Sequence, residues 1–277
     1  MKKHRLKNAR VIITGASDGI GKELTLRLIN DFDCFVLGIA RTKEKLEGVK
    51  SLLGEKSENF SYICADVSDE QFWKSLAATL EHNESGFDML INNAGVMPPF
   101  VLTRNYDEEL FRKTLDINLY GVYYATRHLL PIISRSDRAS IINISSAAAL
   151  CPMAGTAAYS ASKAAVKAFT EALSAEEKNI YIAYVCPGFT KTNLFRHTDN
   201  FMDGKLIASL CTPVEKLTKK IIKGIIKGKK RMIFGKDSHL IKFLHSIMPV
   251  KSAPLIFSVM RKSKDKAFAQ MFPDEKK

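Results

Sequence analysis

With 277 residues, 46% of them hydrophobic and 26% charged, the chain has the material for one large α/β domain and is too apolar to stay disordered. No stretch approaches the ~20 apolar residues of a spanning helix, and the scattered cysteines (Cys34, Cys64, Cys151, Cys186, Cys211) form neither a C-x-x-C pair nor a zinc-like cluster with histidine. The net charge of +13 is unevenly placed: residues 1–204 hold 24 basic and 24 acidic side chains, residues 205–277 hold 18 basic and 5 acidic ones. A neutral body with a basic tail argues against nucleic acid as the partner.

The basic N-terminus runs straight into a strand, with no apolar signal-peptide core. The expected location is the cytoplasm, or the cytoplasmic face of a membrane if the tail reaches one. Arg10–Thr14 is a β-branched strand, followed by the turn Thr14-Gly-Ala-Ser-Asp-Gly-Ile-Gly21 and a helix over residues 23–30. Residues 34–40 form a continuous apolar strand of the kind buried on both faces in a parallel sheet, and a charged helix follows over 42–53. Phe60–Cys64 is the third strand, with Ser68 expected to cap a helix over 69–80. Met89–Asn92 is the fourth. A long helical region over 107–134 contains Asn118 and is expected to break near Gly121. Ser140–Ile144 is the fifth strand, ending at Ser145 and Ser146, and the next helix bears Tyr159 and Lys163 and runs to about residue 178. Residues 181–185 are the sixth strand, ended by Pro187-Gly188. A helix over 213–227 and the strand Arg231–Phe234 complete the alternation. Strands alternating with helices predict an α/β, Rossmann-type, doubly wound parallel sheet of about seven strands, with helices on both faces. The catalytic domain is taken as residues 1–236, with a helical C-terminal extension over 237–277.

The glycine turn stands between strand and helix, where Gly15, Gly19 and Gly21 let a pyrophosphate approach the helix N-terminus, with Ser17, Asp18 and Ile20 between them. At the end of strand two a carboxylate would select NAD; this chain has Arg41, which can pair with a 2′-phosphate, so NADP(H) is favoured over NAD(H). Asp18 counts against that preference. Asp66-Val67 after strand three is placed to meet adenine, and after strand four the side-chain amides of Asn92-Asn93-Ala94-Gly95 are placed to fix the loop against the adenosine ribose.

Together Thr14-Gly-x-x-x-Gly-Ile-Gly21, Asp66-Val67, Asn92-Asn-Ala-Gly95, Asn118, Ser145-Ser146, Tyr159-x-x-x-Lys163 and Pro187-Gly188 with Thr192 resemble the short-chain dehydrogenase/reductase family, in the family's order over residues 8–195. The resemblance implies a hydride exchanged between nicotinamide and a small-molecule carbonyl or alcohol, with no metal. It implies Tyr159 as proton donor or acceptor and Lys163 lowering the Tyr159 pKa and binding the nicotinamide ribose. Ser146, thirteen residues before the tyrosine, would orient substrate, and Asn118 would hold a relay water. Pro187, Gly188, Thr190 and Thr192 would lie along the nicotinamide and phosphates. A catalytically silent relative that keeps only the fold is the rival reading, and the intact set of Asn118, Ser146, Tyr159 and Lys163 speaks against it.

In the extension, Leu240, Ile241, Phe243, Leu244, Ile247 and Met248 form an apolar helical stripe, interrupted by Pro249 and Pro254 and followed by a second apolar run leading into Arg261-Lys262. Such a segment packs on the body, covers a partner subunit in a homo-oligomer, or lies on a membrane as a peripheral contact. The last would suit a lipophilic substrate.

Overall fold

The computed structural model describes residues 5–83, 86–192, 194, 205–263, 265, 268, 271 and 272. Seven parallel strands, β1 (Arg10–Thr14), β2 (Phe35–Ala40), β3 (Phe60–Cys64), β4 (Met89–Asn92), β5 (Ser140–Ile144), β6 (Tyr181–Pro187) and β7 (Arg231–Phe234), lie in the order β3-β2-β1-β4-β5-β6-β7. The strand order reverses between β1 and β4, and in open α/β sheets ligands bind beyond the carboxyl ends of the strands at such a point. The glycine turn follows β1, Asp66-Val67 follows β3, Asn93-Ala94-Gly95 follows β4 and Ser145-Ser146 follows β5.

Alternation along β1 explains the two layers. Val11 and Ile13 face one core with Leu24 and Leu28 of α1 (Gly19–Phe32), Leu46 of α2 (Lys43–Leu52) and Ile221 of α8 (Val214–Ile226). Ile12 faces the other, with Trp73 and Leu76 of α3 (Glu70–His82) and Leu129 of α5 (Gly121–Ile133). Helices thus cover both faces, as the unbroken apolar strands require.

The expected helix break moves. The helix α4 (Glu108–Leu115) does not stop at Gly121; it widens into a π turn over Asp116–Tyr120 that holds Asn118, then continues as α5. Wide turns of this kind often mark functional positions. At α3 the cap is Asp69, accepting from Gln71 N, because Ser68 donates from both its N–H and its hydroxyl to Asp66. Buried Asn92, Asn143 and Thr170 chain β4 and β5 to α6 (Ala157–Glu176): Asn92 Nδ2 donates to Asn143 Oδ1 at 2.8 Å and Asn143 Nδ2 to Thr170 Oγ1 at 2.9 Å. That ladder sets the helix bearing Tyr159 on the sheet.

After the short α7 (Lys205–Leu210) and α8, the extension forms two helices, α9 (Lys236–Ile247) and α10 (Ser252–Ser263). Pro249 lies at the corner between them, but Pro254 sits in the first turn of α10, where its missing N–H costs no hydrogen bond. The corner is pinned by Ser252, whose hydroxyl meets His245 Nδ1 at 2.9 Å and Cys151 Sγ at 3.6 Å.

Candidate active site

The glycine turn is built by two left-handed residues, Gly15 (φ 66°) and Gly19 (φ 51°), a backbone that side chains disfavour. A Cβ on Gly21 would strike the Gly15 carbonyl. Asn93 clamps the turn, donating from Nδ2 to the Thr14 carbonyl at 3.0 Å and the Gly15 carbonyl at 3.2 Å, while Thr14 Oγ1 accepts from Asn93 N and Ala94 N. The side chain therefore fixes the loop, as expected of the amides after strand four. Asp18 caps α1 through Gly19 N at 2.7 Å, and the N-terminus of this 14-residue helix opens into a cleft. Gly15, Ser17, Asp18, Gly19, Ile20, Arg41, Asp66, Val67, Asn93, Ala94, Gly95, Tyr159, Lys163, Pro187 and Thr192 line that cleft. Gly21, Asn118, Ser146, Gly188 and Thr190 stand outside its lining.

At one end Arg41 Nη1 lies 3.9 Å from Asp66 Oδ2. Burial raises the Asp66 pKa, but the Ser68 hydrogen bonds and the charges of Arg41 and Lys113 outweigh it and leave the carboxyl below its ordinary value. Lys45, which the sequence reading did not single out, also lines the cleft, with Nζ 2.9 Å from Asp18 Oδ2. Its only sequence signal is a spacing of four from Arg41.

At the other end Tyr159 and Lys163 are almost fully buried on α6. Lys163 Nζ donates to the Ile144 carbonyl at 3.0 Å and lies 5.9 Å from the Tyr159 ring centre. Burial pushes the Lys163 pKa down to about 8. Burial pushes the Tyr159 phenol up to about 12, and the group that pulls it back is the Ser146 hydroxyl rather than the Lys163 ammonium. Ser146 also accepts from Ala148 N, whereas Ser145 spends its hydroxyl on the Lys163 carbonyl at 2.8 Å. That division makes Ser146 the serine that faces the phenol.

Behind the pair, Asn118 Oδ1 accepts from Val96 N at 2.8 Å, and its Nδ2 donates to the Val96 carbonyl (2.9 Å) and to Ser162 Oγ (3.0 Å). Ser162 in turn donates to the Tyr159 carbonyl. A Cβ on Gly95 would come within 3.1 Å of Asn118 Oδ1 and 3.2 Å of Lys163 Nζ, so a side chain here would press on both.

The loop after β6 is held from the extension. Asp237, at the start of α9, accepts from Phe189 N at 2.8 Å through Oδ2, and its Oδ1 is a buried atom without a partner. Burial raises its pKa. Thr190 turns its hydroxyl to the Gly188 carbonyl at 3.0 Å, away from the cleft, while Thr192 lies over the glycine turn, 3.2 Å from where a Gly19 Cβ would be. Asp237 was invisible as a site residue, since its contact spans 48 residues.

Comparison with known proteins agrees with this geometry. A family model described as short chain dehydrogenase matches residues 9–203. An uncharacterised oxidoreductase of Staphylococcus saprophyticus is 34% identical, over 70% of this chain and 79% of its own length. A fatty acyl-CoA reductase of Acinetobacter baylyi is 31% identical, over 83% of this chain and 77% of its own. Among solved structures, a short chain dehydrogenase from Burkholderia cenocepacia in complex with NADP superposes with a TM-score of 0.76 at 20% identity, covering 91% of this chain and 98% of that one. The chain belongs to the short-chain dehydrogenase/reductase family and is an NAD(P)-dependent oxidoreductase acting on alcohols or carbonyls.

Proposed function

We propose that the protein is an NADP-dependent reductase of a lipophilic carbonyl, reversible toward the secondary alcohol, with Tyr159 as its acid. The observation that carries this is the meeting of buried Tyr159 and Lys163, braced by Asn118, with a glycine-built cleft at the strand-order reversal. The cradle suits a dinucleotide: the N-terminus of α1 faces it, and Gly15, Gly19 and Gly95 keep side chains out of it. Bound there, the dinucleotide supplies or takes up the hydride.

The rest is done by the chain. A phenol held near 12 is protonated at neutral pH, the form that donates to a carbonyl oxygen. Ser146, beside that phenol, orients the same oxygen. Lys163 keeps its charge at neutral pH, and an ammonium on the same helix face favours the phenolate that Tyr159 becomes once it has given its proton. The amide of Asn118 is spent on Val96 and Ser162. A relay water would therefore rest on its backbone carbonyl, inside a π turn where regular pairing is interrupted.

Preference for NADP rests on two cations at the adenosine end. Arg41 and Lys45 both line the cleft, and Lys45 neutralises the Asp18 carboxylate that would otherwise repel a 2′-phosphate. The lipophilic substrate is supported by the apolar cluster around Tyr159, which includes Met97, Phe100, Met260, Phe268 and Met271. The relative named for fatty acyl-CoA points the same way. The five free thiols fit the cytoplasm, and a homo-oligomer is the assembly we expect. An apolar substrate concentrates in bilayers, and residues 237–277 are the segment that would meet one.

The test is a panel of carbonyls followed by NADPH absorbance. Long-chain or polycyclic ketones should turn over faster than short hydrophilic ones, NADPH should outperform NADH, and Tyr159→Phe should abolish turnover while keeping cofactor binding. Undiminished turnover in Tyr159→Phe would place the acid elsewhere, and a preference for short polar ketones would remove the lipophilic reading.

A further inference from the structure

The stripe that the sequence shows on α9 is only partly used by the fold. Ile241, Leu244 and Met248 are half-buried, while Leu240, Phe243 and Ile247 stand open at i, i+3 and i+7. Val250 at the corner and Leu255 and Val259 on α10 continue the open face. Of the eight large hydrophobic residues exposed among the described residues, six belong to this one hairpin, each 44–84% exposed. Scattered single exposures are ordinary; a contiguous set on one element marks a contact surface.

Charge decides what it contacts. Between residues 236 and 263 the cations are Lys236, Lys242, Lys251, Arg261 and Lys262, and the sole carboxylate is Asp237, which is buried and turned inward to Phe189 N. A two-fold interface with a second copy would set Lys236, Lys242 and Lys251 against their own copies, with no exposed carboxylate between residues 236 and 263 to face them. An anionic lipid surface supplies both the apolar layer and the negative charge.

We propose that the α9–α10 hairpin is a monotopic docking element for anionic membranes, with Leu240, Phe243, Ile247 and Val250 entering the interface and the lysines meeting headgroups. The inner side of the same hairpin joins the apolar cluster near the site: Ile256, Phe257 and Met260 pack into the cluster that contains Tyr159 and Phe100. The hairpin would thus link the bilayer to the cluster that holds Tyr159, a short route for a membrane-dissolved ketone. That route rests on the lipophilic reading; the docking surface does not.

The experiment is co-sedimentation of the full chain with phosphatidylglycerol–phosphatidylcholine vesicles and with pure phosphatidylcholine vesicles, with light scattering for oligomeric state. The expected result is binding to the anionic vesicles that weakens with salt. It should fall at least about tenfold in Leu240→Ser/Phe243→Ser/Ile247→Ser, with turnover of a short soluble ketone unchanged. In Lys242→Glu/Lys251→Glu, whose apolar face is intact, anionic binding should fall and depend less steeply on salt. Absence of vesicle binding by the wild-type chain overturns the proposal. So does a triple-serine variant that still binds as wild type, or one that only dissociates an oligomer.

Discussion

Lys45 offers the sharpest test of how the cleft reads its cofactor. Its Nζ sits 2.9 Å from Asp18 Oδ2, and Asp18 in turn caps α1 through Gly19 N. Lys45→Ala removes one cation from the proposed 2′-phosphate subsite and leaves the Asp18 carboxylate there without its lysine. A hydrogen bond to a charged group is worth about 1.5–3 kcal/mol when sheltered. Both side chains are more than a third exposed, so solvent screening brings the expectation down to about 1–2 kcal/mol, or roughly 5–30-fold in Kd. NADH, without the phosphate, should change by less than about twofold. Fluorescence titration of both cofactors at low and high salt measures this, and the NADPH effect should shrink as salt screens it. Adding Asp18→Asn should recover part of the loss, since asparagine still caps the helix and no longer repels the phosphate. Equal loss for both cofactors would show that Lys45 only shapes the loop. No loss for NADPH, with Arg41→Ala abolishing the preference, would assign the phosphate to Arg41 alone.

Asn118→Ala should cost about 2–4 kcal/mol in urea unfolding, because Val96 N–H, its carbonyl and Ser162 all lose a buried partner; a change below ~1 kcal/mol would mean the π turn does not depend on that amide. Gly95→Ala should cost about 1–3 kcal/mol and depress turnover more than cofactor affinity, since its Cβ pushes on Asn118 and Lys163. Equal effects on both would point to the phosphate end instead. The pH dependence of stability follows from Lys163, held at about 8 against the ordinary 10.5 of a lysine. Between those values the unfolded chain binds more protons, so stability from this group should rise with pH by up to about 3 kcal/mol. Tyr159, raised to about 12, acts oppositely, and its contribution is lost as pH climbs from 10 to 12. Lys163→Met should remove the rise between pH 8 and 10; an unchanged slope would show that the ammonium is not desolvated.

Much of this was legible beforehand because it obeys local rules. β-branched and apolar runs separated by helical segments could form little other than a parallel sheet, and the glycines of the first turn had a strand before them and a helix after. Tyr159 and Lys163, four apart, had to share a helix face. What was not legible depends on partners distant along the chain. Ser68 was the apparent helix cap until Asp66 claimed its hydroxyl, and the long helix near Asn118 widened where that side chain was drawn to Val96, 22 residues away.

The sequence by itself determined the fold class, the strand ends at which chemistry collects and the residues that stand there, since each rests on spacing within a turn or a strand. Only the tertiary structure decided that Lys45 answers Asp18 across 27 residues, that Asp237 reaches Phe189 across 48, and that half the apolar stripe of α9 stays uncovered. A hydrophobic period shows that one face of a helix is apolar. How wide a surface lies opposite to bury it is a property of the packed body, and no local pattern contains it.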